Sequence, residues 1–378
     1  MTARPDNPFL SLTAPGIAGL HPYVPGKPIE ELERELGLVH TLKLASNENP
    51  LGPSPRGLEA AGEAISGIQL YPDDAGFRLR NALAERLCVD AKAITLGSGS
   101  SDVIDMVART FLTPGFNAVF ARHSFAMYPI YTQAQGAEGR VAAPFPPDHP
   151  HIPYGHDPET LLAMVNDETR VLFIANPNNP TGTWLARDDL VGLLDRLPDH
   201  VVVVLDEAYT EYVEEADFPN GLALLPRYPN LIVTRTFSKI YGLAGLRVGY
   251  GVSSPELAEV INRVRHPFNV NAPALAAAEA ALDDEVFLRH SREINRAGLR
   301  QLAEGLSAMG LRCIPSVANF ITVDIGRSGP ETFEALLRKG VIVRPVANYD
   351  MPNHLRVTVG REEENRRFLD ALAEVLGG

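Results

Sequence analysis

From about Pro55 to Asn271, short runs of branched apolar residues alternate with longer amphipathic stretches. "NAVFA", "RVLFIAN", "HVVVVLDEAY" and "NLIVTRTFS" carry no polar alternation, which suits strands buried on both faces. Between them "FRLRNALAERLC" and "SSDVIDMVARTFL" read as helices, the second opening just after the glycines of "LGSGS". Buried strands with helices between them define an α/β chain with a mostly parallel sheet. Each run ends in polar residues at its C-terminal end, where open α/β sheets bind ligands.

The pattern changes after about Asn271. Ala-rich and charged helices, residues 272–310, lead into "ANFITVDI", a helix, "GVIVRPV", "HLRVTVG" and a last helix, "ENRRFLDALAEVL". The pattern predicts a smaller α+β domain over residues 271–378 and a large ligand-binding domain over 51–270. Residues 1–50 are rich in Pro and Gly, hold one helix candidate, "PIEELERELG", and are expected to pack with the smaller domain. No internal repeat or low-complexity tract is present.

Composition narrows the function. A charge of -13 repels nucleic-acid backbones and anionic membranes, while leaving room for a local cationic pocket. Two cysteines, Cys88 and Cys313, without CxxC or Cys/His spacing argue against a disulfide framework or a zinc site. No signal-peptide core and no run of 18 apolar residues occurs, so a cytoplasmic protein is expected. The histidines of "PPDHPHIPYGHD" (His149, His151, His156) fit a proline-rich loop better than a metal site, and Trp184 reads as packing.

Four motifs carry chemistry. Lys239 ends the apolar run of "TRTFSK". A buried lysine loses affinity for its proton and attacks carbonyls, although a lone lysine usually snorkels to water. Asp206 closes "VVVVLD" and would be costly to bury without a cation such as a protonated pyridine; Tyr209 follows three residues on. "NPNNPTG" leaves Asn179 at a strand end with an amide to donate. "GSGSSD" sets Ser100 and Ser101 at a helix start that would hold an anion, but it is neither GxGxxG nor a P-loop. Alone, each has a bland reading as a cap or a turn. Together they describe a site for pyridoxal 5'-phosphate. Ser100, Ser101, Ser238 and Arg247 would cradle the phosphate, and Asp206 would pair with the ring nitrogen. Asn179 and Tyr209 would donate to the ring oxygen, and Lys239 would form the Schiff base and shuttle the proton.

The order "NENPLG", "YPD", "GSGS", "FAMY", "NPNNPTG", "DEAY", "SK…R", "LRVTVG" resembles the class II, fold-type I aminotransferases, and among them the histidinol-phosphate aminotransferase family. The resemblance runs from "LHPYVPGKP" to the last helix. It implies that Phe125 stacks on the pyridine ring, where many members carry Tyr. It implies that Tyr71 reaches the cofactor phosphate of the neighbouring subunit, hence a homodimer with shared active sites. Tyr23, Asn47, Arg344 and Arg356 fall where the family lines its substrate pocket, the arginines facing the anionic end. The implied reaction moves an amino group between L-histidinol phosphate and 2-oxoglutarate or glutamate. An aromatic amino acid, phenylalanine or tyrosine, is the alternative substrate, because a guanidinium accepts phosphate or carboxylate alike. A decarboxylase of a phosphorylated amino acid is the third reading. A non-catalytic regulator ranks last, because Lys239 and Asp206 are both present.

Overall fold

The apolar runs form the middle of a seven-stranded sheet. The computed structural model describes residues 7–377; the ends of the expected N- and C-terminal spans, residues 1–6 and 378, lie outside it. In chain order the strands are β1 (Leu42–Lys43), β2 (Ile94–Gly97), β3 (Asn117–Ala121), β4 (Glu138–Ala142), β5 (Thr169–Ala175), β6 (Val202–Asp206), β7 (Leu231–Thr236), β8 (Gly249–Val252), β9 (Arg312–Ile314), β10 (Phe320–Asp324), β11 (Val341–Ile342), β12 (Arg344–Pro345) and β13 (His354–Thr358). The central order is β2-β8-β7-β6-β5-β3-β4. Only β8 is antiparallel to its neighbours. The α/β class and mostly parallel sheet expected from the sequence are therefore what the chain forms.

The missing alternation has a direct cause. Successive residues of a strand point to opposite faces, and here both faces are covered. Val171, Phe173 and Val204 pack with Val103, Ile104 and Met106 of the helix Ser100–Phe111. Leu172, Ile174, Val203 and Leu205 pack on the other side with Leu190, Leu193 and Leu194 of the helix Arg187–Leu194. Each fully buried side chain of this size contributes about 1.5–3 kcal/mol to holding the scaffold together.

A second sheet, β12-β13-β10-β9, is antiparallel, and β1 pairs with β11 in parallel beside it. Its core joins Leu42 and Leu44 to Val323, Leu336, Val357 and Phe368. Two breaks shape the elements of this region. The run 272–310 is two helices, Ala272–Leu282 and Glu285–Ala308, because Asp284 caps the second: one carboxylate oxygen accepts from Phe287 N and the other from Ser54 Oγ at 2.6 Å. "GVIVRPV" is not one strand either; β11 and β12 join different sheets. β4 and β8 gave no apolar signal. β4 is largely exposed, and β8 is Gly-rich because a Cβ on Gly249 would lie 2.4 Å from Ser100 N.

Among the described residues no helix is long and apolar enough to cross a membrane, and no group of three or more His, Cys, Asp or Glu could hold a metal ion.

Candidate active site

The register Ala175↔Asp206↔Thr234 sets the carboxyl ends of β5, β6 and β7 side by side. A pocket of about 350 Å³ opens there, walled also by Ser46, Asn47 and Arg356. A larger surface cleft of about 980 Å³, around Arg86, Phe218 and Pro255, contains none of the candidate residues.

Lys239 follows β7 in a turn closed by Gly242 N donating to Lys239 O at 3.0 Å. Its Nζ donates to Ser46 O at 3.2 Å and stands 5.6 Å from the centre of the Tyr209 ring. Burial, then the positive field of Arg356, brings its ammonium down to about 8; Glu48 and Asp206 oppose this, and Arg247 adds to it. A useful fraction of neutral amine therefore exists near neutral pH.

Asp206 ends β6 at the pocket floor. Its Oδ2 accepts from the Tyr128 hydroxyl at 2.8 Å and its Oδ1 from Thr234 Oγ1 at 3.3 Å. Burial pushes the carboxyl up to about 6, against the lowering effect of hydrogen bonds from Tyr128, Thr234 and the Ala208 N–H and of the Lys239 charge. The next residue points the opposite way. Glu207 is fully buried and takes both Nε and Nη2 of Arg235, at 2.9 and 2.7 Å. The adjacent acids of "DEAY" thus divide by strand alternation, one facing the pocket and one locked in structure.

In the "NPNNPTG" loop both Asn-Pro bonds, Asn176-Pro177 and Asn179-Pro180, are cis. Asn179 Oδ1 accepts a hydrogen bond from Arg356 Nη1, which leaves its NH2 free to donate into the pocket. Arg356 Nη2 donates to Ala45 O at 2.9 Å, and its buried Nε has no protein partner. Tyr209 OH accepts from Asn47 Nδ2 at 2.8 Å, so its own proton is free, and burial holds the phenol well above its ordinary range.

Ser100 and Ser101 form the first turn of the helix Ser100–Phe111, where backbone N–H groups have no partner one turn back. Gly99 holds φ +85, and a Cβ there would meet Arg247 Nη2 at 2.4 Å. Only glycine lets the guanidinium lie across this turn. Arg247 Nη1 also reaches Ser238 Oγ at 3.2 Å. Asp102 turns away, its Oδ2 accepting from Ser98 N and Asn269 Nδ2, both at 2.8 Å. The result is a cationic cradle on one side of Lys239.

Phe125 lines the pocket, with Tyr128 edge-on to it at 5.7 Å. Asn47 also lines it but is 1% exposed and tied to Tyr209 and Thr358, so little of it is free. Tyr23 stands at the mouth, and Arg344 lies beyond it, 5.4 Å from its ring. Arg344 donates to Val24 O at 2.7 Å and opens into a neighbouring cavity of about 480 Å³ rather than the Lys239 pocket. Tyr71 is also outside the pocket, 82% exposed and stacked on Phe268 at 4.7 Å. Of the loop histidines, His149 and His151 stay in the loop, whereas His156 is buried with Nε2 3.0 Å from Ala175 O. Sequence reasoning missed Tyr128, Thr234 and Ser46. Tyr128 stands three residues after Phe125, a spacing that offered the one available hint.

These residues fit pyridoxal phosphate in chemistry: a cradle for a dianion, a buried carboxylate for a ring N–H, free donors for a phenolate oxygen, and an amine of lowered basicity. Residues 39–372 match the family model for class I and II aminotransferases, and the chain belongs to that family. It is 56% identical over 370 residues to histidinol-phosphate aminotransferase 2 of Pseudomonas fluorescens, spanning 97% of this chain and 98% of that one. It is 48% identical over 368 residues to histidinol-phosphate aminotransferase 1 of Mannheimia succiniciproducens, spanning 97% and 99%. Among solved structures, the histidinol-phosphate aminotransferase of Sinorhizobium meliloti in complex with pyridoxal-5'-phosphate superposes with a TM-score of 0.87 at 29% identity, over 97% of this chain and 98% of that one. An aspartate aminotransferase mutant of Thermus thermophilus shares the fold, with a TM-score of 0.83 at 24% identity over 96% and 99%.

Proposed function

We propose that the chain is a pyridoxal-phosphate-dependent transaminase moving an amino group between L-histidinol phosphate and 2-oxoglutarate or glutamate. The meeting of Lys239, Asp206 and Arg356 in one pocket carries the reading, and the similarity to histidinol-phosphate aminotransferases supports the substrate. Pyridoxal phosphate supplies a carbonyl for the amine and a ring that takes up the electron pair left when a substrate Cα loses its proton. Every other task belongs to the protein. Lys239 Nζ would hold the cofactor and would take up and return the proton of the substrate Cα. Asp206 keeps a proton on the ring nitrogen. Asn179 and Tyr209 donate to the ring oxygen, and Phe125 stacks on the ring.

The cradle of Ser100, Ser101, Ser238 and Arg247 takes the cofactor phosphate. Arg356 takes the anionic end of the substrate from the pocket wall, with Tyr23 at the mouth, Arg344 behind it, and Asn47 holding the Tyr209 hydroxyl in place. One guanidinium serves both half-reactions, because it attracts phosphate and carboxylate alike.

The proposal includes a homodimer with shared sites. Leu58, Ile65, Ile68, Leu70, Tyr71 and Phe77 are exposed apolar residues within twenty positions of sequence, and Tyr71 is remote from the pocket of its own chain. Association would cover them and bring the partner subunit's Tyr71 to the cradle. A cytoplasmic setting accords with two free thiols, Cys88 and Cys313.

A single-turnover experiment tests the substrate. L-Histidinol phosphate and phenylalanine are added separately to cofactor-loaded enzyme, and the loss of the cofactor's yellow absorbance is followed. Efficient conversion by histidinol phosphate supports the proposal. Equal or better conversion by phenylalanine replaces it with the aromatic reading. No change with either directs attention to the decarboxylase reading.

A further inference from the structure

Asp206 has two donors besides a backbone N–H, and they are not equivalent. Thr234 reaches Oδ1 at 3.3 Å, a long contact, and Tyr128 reaches Oδ2 at 2.8 Å. Tyr128 is completely buried, and its ring is stacked on Phe173 at 4.8 Å, only 5° from parallel. The hydroxyl has Asp206 as its partner and no route to water. A phenol in that position donates strongly to a carboxylate and only weakly to the neutral acid. Such a bond stabilises the charged form and fixes which oxygen remains for a ring N–H.

We propose that Tyr128 is a positioning residue for Asp206: its phenol, aimed by the Phe173 stack, holds the carboxylate ionised and leaves Oδ1 directed at the cofactor nitrogen. This rests on the pyridoxal-phosphate reading of the pocket. Tyr128 is also edge-on to Phe125. One side chain therefore supports both the carboxylate at the ring's edge and the aromatic wall on its face. The other ionisable groups facing Asp206 are Lys239, from the turn after β7, and Tyr209, from the loop after β6.

The sign of the effect is fixed by the geometry. Burial alone raises the carboxyl, and the Tyr128 hydrogen bond is the largest influence lowering it, with a balance near 6. Removing the hydroxyl lets burial win, so Asp206 would take up a proton at higher pH.

The test is cofactor affinity of the full chain as a function of pH, read by absorbance titration rather than turnover. Wild type should lose affinity as pH falls through about 6. In Tyr128→Phe that acid limb should move up by about one pH unit, giving about fivefold weaker binding at about pH 6, approaching tenfold at lower pH, and little change at about pH 9. Titration of the cofactor's own phosphate is common to both proteins and cancels in the difference. 3,5-Difluorotyrosine at position 128 keeps the ring and makes a more acidic, stronger donor, so it should move the limb the other way. A limb that stays in place, or a loss uniform across pH, overturns the inference. Should the Phe variant not fold, the fluorinated variant decides alone. Absence of saturable cofactor binding in wild type would instead overturn the parent reading of the site.

Discussion

Arg356 Nη1 donates to Asn179 Oδ1, joining the small antiparallel sheet to the loop after β5 across 177 positions of sequence. The bond ties two proposed tasks together: one arginine orients the amide meant for the cofactor and faces the substrate's anionic end. Arg356→Ala should therefore damage both steps. We expect KM for the anionic substrate to rise about 100-fold, with cofactor affinity falling several-fold. Lys at this position should rescue little, since a point charge cannot keep the fork to Asn179 and Ala45. Steady-state kinetics and a cofactor titration on the two variants check this.

Lys239→Ala should lower turnover by about 10³-fold or more while leaving the thermal unfolding curve within a few degrees of wild type. An undiminished rate would contradict the mechanism. Because the Lys239 ammonium lies at about 8 in the cofactor-free protein, covalent capture of cofactor should speed up about tenfold per pH unit below 8 and level off above it. Stopped-flow absorbance over that range provides the measurement.

Asp206→Ala should weaken cofactor binding and reduce the rate together, by about 10²-fold or more, since a neutral pyridine accepts electrons poorly. Normal turnover with poor cofactor retention would separate the two effects and remove the assigned role.

The proposed sharing of sites predicts complementation. Lys239→Ala and Tyr71→Ala homodimers should each be weak. In a mixed dimer one site carries both defects and the other carries neither. Equal mixing should therefore restore about a quarter of wild-type activity, half the dimers being mixed with one sound site each. Mixtures that remain inactive in a verified dimer would place Tyr71 outside the partner's site.

Glu211 offers a stability test away from the cofactor. Its Oε2 is enclosed without a partner, and burial raises the carboxyl from 4.5 to about 7, with Glu207 adding to the rise and Arg235 and Arg292 opposing it. A raised carboxyl keeps its proton in the folded chain after the unfolded chain has lost it. Stability should thus fall as pH climbs from about 4.5 to about 7, then stay level. Glu211→Gln should gain about 2 kcal/mol over wild type at pH 8 and much less at pH 5, measured by denaturant unfolding at both.

Much of the scaffold was legible because burial on both faces writes an uninterrupted apolar run. β3 begins and ends where "NAVFA" does, β6 and β7 lie within the runs that announced them, and β5 starts one residue before "RVLFIAN", at Thr169. β8 was not legible: its glycines answer to contacts with Ser100 and Ile232, which no local pattern records. The motif residues around Lys239 could be listed from the chain, but their separations could not. Tyr128 and Asp206 are 78 positions apart, and the phenol looked like any core aromatic.

The sequence by itself determined the alternation of strand and helix, the polar strand ends, and the kinds of group available: an amine, a carboxylate, amides and guanidinium forks. Those follow from periodicity and residue chemistry, which are local. The tertiary structure alone decided which group faces which. It sent Asp206 into the pocket and Glu207 into an ion pair with Arg235. It put Arg356 on Asn179, and left Arg344 and Tyr71 outside the Lys239 pocket. Proton affinity and hydrogen bonding depend on burial and on distances of a few ångströms between residues far apart in the chain, and only the folded packing fixes those.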